Sequence, residues 1–131
     1  DYYSNTYPEP STYPDGMDIE IFSFKSLNLA NKLAFKKSDR EHVTPFFRRY
    51  KKLNISRKDF YKDVSKYRLT VDYPSDFRLF KNFVNNFGNK IYSVNMREII
   101  KFLKKKPKLI NYQKKIIRNE KLINDIEMDS I

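Results

Sequence analysis

Asp72 stands where a carboxylate can do chemistry. The run from Tyr67 to Phe77 (YRLTVDYPSDF) alternates in character up to Val71, which predicts a strand with Tyr67, Leu69 and Val71 on one face and Arg68 and Thr70 on the other. Pro74 suits a first helical position, Asp76 complements the helix dipole, and Phe77, Phe80, Phe83, Val84 and Phe87 form a helical stripe. In open α/β sheets ligands bind beyond the carboxyl ends of strands, so Asp72 could handle a metal or a phosphate; an acidic residue there can also simply shape the turn. The sole histidine, His42, could be a general base or a helix-surface residue. Asp18 and Glu20 share one face of a predicted strand and could bind a cation or form a solvated polar face.

The elements that must position these groups follow from periodicity and caps. Residues Asp1 to Gly16 carry Pro8, Pro10, Pro14 and four tyrosines, and read as an ordered loop or extended segment. Met17, Ile19 and Ile21 alternate with Asp18 and Glu20 as a short strand. A helix follows, capped by Ser23, with Leu27, Ala30, Leu33 and Ala34 on one face. Ser38 and Glu41 have capping-box spacing, so a second helix should start there, kinked by Pro45. Lys51 to Lys66 read as a loop. Met96, Ile99, Ile100 and Leu103 mark an amphipathic helix whose solvated side is Lys101, Lys104, Lys105 and Lys106 and whose end is Pro107. Leu109 to Ile131 read as one or two more helices. This order suits the second half of an α/β sheet.

Composition narrows the function classes. The 131 residues, 40% hydrophobic, can bury the core of one domain, and no apolar run or leader pattern is present, so a cytoplasmic protein is expected. No cysteine is present, which removes thiolate nucleophiles, disulfides and cysteine-bound zinc. A net charge of +11 fits a polyanionic partner, or lysine-rich drift in an AT-rich coding sequence. The run Phe46 to Lys52 (FFRRYKK) interleaves aromatics and cations as single-strand nucleic-acid binders do, yet Phe46, Phe47 and Tyr50 also have the spacing of a helical core face. The cluster Lys104 to Lys108 reads as a solvated face.

Five blocks, Ser4 to Thr6 (SNT), Tyr13 to Phe22 (YPDGMDIEIF), Ser38 to Pro45 (SDREHVTP), Leu69 to Phe77 (LTVDYPSDF) and Ile117 to Glu120 (IRNE), together resemble the C-terminal half of the spore-coat polysaccharide cytidylyltransferases. That group lies within the acylneuraminate and Kdo cytidylyltransferases. The resemblance implies a Rossmann-like, GT-A-type α/β nucleotidyltransferase sheet, with residues 1–92 as its C-terminal part and 93–131 as a helical tail. It implies transfer of CMP from CTP to a sugar or sugar acid for surface polysaccharide synthesis, with release of pyrophosphate. Asp72 would be a Mg²⁺ ligand, and Asp15, Asp18, Glu20, Glu41 and His42 would face the sugar. Mg²⁺ takes carboxylate and phosphate oxygens, which agrees with an aspartate at that junction. The implied partners are CTP, a sugar acid, and either a further copy of the chain or an N-terminal half that completes the site, with neither membrane nor nucleic acid. Glycine occurs only at Gly16 and Gly88, so there is no glycine-rich phosphate loop, and the isolated chain is expected to be inactive. Tyr73 replaces the family's small hydroxyl residue before Pro74, costing the helix its usual cap. The alternatives are a basic nucleic-acid-binding module or a non-catalytic interaction domain.

Overall fold

A computed structural model describes residues 1–129. In chain order the elements are β1 (Tyr2–Ser4), β2 (Glu20–Phe22), α1 (Phe24–Leu33), α2 (Lys37–His42), α3 (Pro45–Arg49), β3 (Ile55–Arg57), α4 (Pro74–Phe87), α5 (Met96–Lys105) and α6 (Glu120–Met128), with 3₁₀ segments at Gly88–Tyr92 and Pro107–Lys115. They form two compact units. One comprises Asp1–Tyr13, Asp18–Asp63 and the chain from Ile117 onward, the other Pro14–Met17 and Val64–Ile116. The tail helix belongs with the amino-terminal strands because its polar face is claimed by α2. No helix among the described residues is long and apolar enough to cross a membrane.

In the first unit β1 is the centre of a three-stranded sheet ordered β2-β1-β3. It runs antiparallel to β2, with Tyr3 opposite Ile21, and parallel to β3, with Tyr3 opposite Ser56. The amino-terminal stretch thus opens with the central strand, and the segment expected to be one loop from Lys51 to Lys66 contains β3. The faces of β2 also turn over. Ile19 and Ile21 are 55% and 61% exposed, whereas Glu20 is half-buried because Arg48 and the Tyr2 hydroxyl satisfy its carboxylate. Phe22 shares that inner side and packs on Phe47, ring centroids 4.9 Å apart, while Tyr2 stacks on Phe47 at 5.3 Å. Tyr2, Ala30, Phe46 and Phe47 form the core.

Ser23 does cap α1, its hydroxyl accepting the Ser26 N–H at 3.1 Å. The buried side is Ser26 and Ala30, with Leu29 and Ala34 packed beside them, and Leu33 is exposed. The expected box at Ser38 does not form, since the cap of α2 is Lys36, two residues earlier, and the Ser38 N–H goes to the Asp129 carboxylate at 3.3 Å. Pro45 does not kink a helix either. The chain breaks at Val43, whose φ of +64° closes a three-residue γ-turn from the Thr44 N–H to the His42 carbonyl at 2.7 Å. Pro45 then opens α3 as its first residue, where the missing N–H is harmless.

The second unit holds α4 and α5 with both 3₁₀ segments. Leu79, Phe83, Ile100, Phe102 and Leu103 are buried there, and Phe83 meets Phe102 at 5.1 Å. α5 matches its expected span, capped by Asn95 and Glu98 and stopped before Pro107. In α4 the buried face is Asp76, Leu79 and Phe83, leaving Phe77, Phe80 and Val84 exposed, so the expected stripe is rotated. Asp76 sets that rotation, because it accepts the backbone N–H groups of Asp72 and Tyr73, each at 3.0 Å. The expected strand from Tyr67 to Val71 shrinks to one parallel bridge between Asp15 and Arg68. Tyr67 and Arg68 are both buried, and consecutive inward side chains break the alternation of a strand with one solvated face.

Phe47 is fully buried at the meeting point of three rings. Phe47→Ala should cost about 3–5 kcal/mol, read as a lower urea midpoint with native-like circular dichroism at low denaturant. A cost below about 1 kcal/mol would mean that this aromatic cluster is not the core.

Candidate functional site

Asp72 lies in the turn before α4, beside a guanidinium that organises the second unit. Arg68 donates to Asp15 at 2.6 Å, to Asp72, and to Asp76 at 3.4 Å, and lies over the Tyr73 ring at 5.6 Å. Burial opposes its charge, yet the bonds to Asp72 and Asp76 and the nearby Asp15 carboxylate outweigh it and hold Arg68 above the usual arginine value. Gln113 ties the same residue's backbone, donating to the Arg68 carbonyl at 2.6 Å and accepting its N–H at 3.2 Å. Asp15 reaches Arg68 through a tight segment: its N–H bonds the Tyr67 carbonyl and its carbonyl accepts the Leu69 N–H at 2.7 Å. Gly16 makes this approach possible at φ +89°, where an added Cβ would lie 2.6 Å from the Thr70 nitrogen.

Asp15 and Asp76 are buried, whereas the Asp72 side chain is 62% exposed. One Asp72 oxygen goes to Arg68, leaving carboxylate surface open to solvent. That suits Mg²⁺, which often takes a single protein carboxylate with waters and phosphate oxygens. Among the described residues no three histidine, cysteine or carboxylate side chains converge as a self-sufficient metal site.

The remaining sequence-predicted residues sit in the first unit, each on a partner. Glu41 and His42 lie at the end of α2 and pair with α6: Lys121 to Glu41 at 2.6 Å, and His42 Nε2 to Asp125 at 2.7 Å. With Asp129 on Ser38, the α6 contacts recur every four residues, the spacing of one helix face. The Lys121 ammonium holds Glu41 below the usual carboxylate range, and hydrogen bonding from Ser38 does the same for Asp129. Asp18 pairs with Arg118 at 2.6 Å. Glu20 accepts from Arg48 at 2.8 Å and from the Tyr2 hydroxyl, whose pKa burial and this bond push up to about 12.

Several residues that hold these groups had no individual role in the sequence reading. Arg68 looked like an outward strand residue, although its spacing of four and eight from Asp72 and Asp76 was a legible signal. Lys121, Asp125 and Arg118 are separated in sequence from their partners by 80 residues or more, and only folding brings them together. In the Phe46 to Lys52 run the aromatics are core: Phe46 and Phe47 are buried and Tyr50 stacks on Phe46 at 5.2 Å, while Arg48 and Arg49 pair with Glu20 and Asp39. No stacking platform for bases is left there.

No family model matches the chain. An uncharacterized protein of Methanocaldococcus jannaschii is 37% identical over 102 residues, covering 73% of this chain and 40% of its own length. Among solved structures, a cytidylyltransferase from Leptospira borgpetersenii serovar Hardjo-bovis is similar, with a TM-score of 0.75 and 29% identity over 83% of this chain and 44% of the other. The chain therefore spans less than half the length of either. The mixed α/β architecture, with its small three-stranded sheet, is that of part of a cytidylyltransferase-like fold.

Two outcomes follow from this geometry. Gly16→Ala should destabilise by about 1–3 kcal/mol through backbone strain, with more from the clash at Thr70, and thermal unfolding should report it. An unchanged midpoint would show that the Asp15 segment does not need this close approach. Tyr2 keeps its proton in the folded state up to about 12, while an unfolded tyrosine loses it near 10. The unfolded chain therefore sheds the proton first, so stability is lost as pH rises from about 10 through about 12. Urea midpoints across that range should fall more steeply for the native chain than for Tyr2→Phe, and parallel slopes would remove Tyr2 as the cause.

Proposed function

We propose that this chain forms part of a nucleotidyltransferase that moves CMP from CTP to a sugar or sugar acid, supplying the acceptor side and one Mg²⁺ ligand. The observation that carries the reading is the backbone similarity to a cytidylyltransferase at 29% identity. The open carboxylate of Asp72 supports it.

In this reading Asp72 would hold Mg²⁺, and the ion would supply charge neutralisation for nucleotidyl transfer from CTP to a sugar hydroxyl with release of pyrophosphate. Arg68 aims the Asp72 carboxylate, and Asp15 and Asp76 keep Arg68 in place. His42 donates through Nε2 to Asp125, an acceptor when ionised, so the neutral ring carries its proton on Nε2. Nδ1 is then an acceptor for a sugar hydroxyl. Glu41, half-exposed beside it, offers a second acceptor, held ionised by Lys121. Asp18 and Glu20, oriented by Arg118 and Arg48, add to the proposed polar surface of the first unit. The exposed Phe77, Phe80 and Val84 on α4 support a further proposal, that another copy or a nucleotide-binding half completes the enzyme.

In a polypeptide that joins this chain to a nucleotide-binding half, Asp72→Asn should keep the fold, since asparagine also suits the turn. Pyrophosphate release from CTP in the presence of sugar acids should fall by about tenfold or more, because a neutral amide replaces a charged Mg²⁺ ligand. Wild-type rates in Asp72→Asn would remove the metal role, and no release with any sugar or sugar acid would remove the reading itself.

A further inference from the structure

The first unit contains a cleft that the proposed chemistry does not use. Its volume is about 580 Å³, within the range of small-molecule pockets, and none of Asp15, Asp18, Glu20, Glu41, His42 or Asp72 lines it. One wall is a face of α1, where Lys25, Leu29 and Lys32 recur at helical spacing. The other is the stretch after α3, with Tyr50, Lys52 and Leu53. Stacking on Phe46 at 5.2 Å fixes Tyr50, and the Leu53 N–H donates to the Tyr50 carbonyl at 3.1 Å. Phe24 adds a ring that is 77% exposed. The cleft therefore sets cations beside aromatic and aliphatic surface on both sides.

The fold does not consume these charges. Lys25, Lys32 and Lys52 stand against one carboxylate, Asp1, which accepts the Asn54 N–H at 3.0 Å and pairs with none of them. Among the described residues the three ammonium groups have no ion-pair, hydrogen-bond or ring partner, unlike Arg48 and Arg49, which are held by Glu20 and Asp39. A single exposed lysine is hydrated and attracts an anion only weakly through water. Three of them around apolar walls do more, because a concavity lined by one sign of charge focuses its field on what enters.

We propose that this cleft binds an aromatic phosphate, a ring bearing a phosphate monoester. The surplus of two positive charges, three lysines less one aspartate, matches the nearly double charge of such a group at neutral pH. The ring takes the surface of Phe24, Leu29, Tyr50 and Leu53, and the Asn28 amide in the same lining meets polar atoms on it. Both halves of the recognition are needed, because inorganic phosphate leaves that apolar surface against water and a neutral ring leaves the lysines unmatched.

Fluorescence anisotropy of 1-naphthyl phosphate titrated with the whole chain tests this directly. One saturable site per chain is expected, weakened by raised salt as an ionic contact should be. 1-Naphthol and inorganic phosphate should each compete about tenfold more weakly, or worse, than the phosphate ester itself. Lys32→Glu and Lys52→Glu, one from each wall, should each weaken binding about fivefold or more with unchanged circular dichroism, and Phe24→Ser about threefold. Lys104→Glu on α5 makes the same change in net charge outside the cleft and should leave binding unaltered. Absence of saturable binding, wild-type affinity in either Lys32→Glu or Lys52→Glu, an equal loss in Lys104→Glu, or equal competition by 1-naphthol or inorganic phosphate would each overturn the proposal.

Discussion

Arg68 is a cation removed from water, and the fold tolerates it only because three carboxylates surround it. A buried charge without partners would cost several kcal/mol, so Asp15, Asp72 and Asp76 are held where the guanidinium needs them. One requirement thereby sets three pieces of structure: the close approach of the Gly16 segment, the turn before α4, and the rotation of α4 that buries Leu79 and Phe83. Asp72 differs from its two companions in being exposed, and that difference suits it to a second cation.

The same constraint recurs in the first unit. Arg48 lies beneath Tyr7, 5.1 Å from its ring centroid, and is paired with Glu20, while Arg49 donates to Asp39, whose side chain is fully buried. These contacts use part of the positive excess that composition alone would assign to a polyanionic partner. What reads as a basic face is partly a set of internal struts, which weakens a nucleic-acid reading without altering the net charge. The tail is held in part by an exposed pair, Lys121 with Glu41, that salt screens more readily than the buried ones.

Backbone geometry supplies a second kind of order. Val43 is a β-branched residue at positive φ, a conformation held only when its surroundings demand it. The turn there ends α2 at His42 and aims Pro45 into the core, so the histidine sits at a helix end, beside Glu41 and facing Asp125. A single kinked helix would have carried the chain past this point with His42 in its middle.

Local signals in the sequence determined the helices with strong caps and clear periods: α1 from Ser23, α4 from Pro74 and α5 up to Pro107. They also singled out Asp72, because a carboxylate between an alternating run and a helix start is a short-range pattern. The tertiary structure alone decided which faces are buried. Glu20 turned inward and Ile21 outward because Arg48 was available, and Phe77 stayed exposed because Asp76 was anchored. It also replaced the predicted strand at Tyr67 by a single bridge and made a central strand of the tyrosine-rich start. Hydrophobic periodicity ranks residues by their own transfer energies, whereas a buried ion pair depends on a partner that can be 53 positions away, as Asp15 is from Arg68.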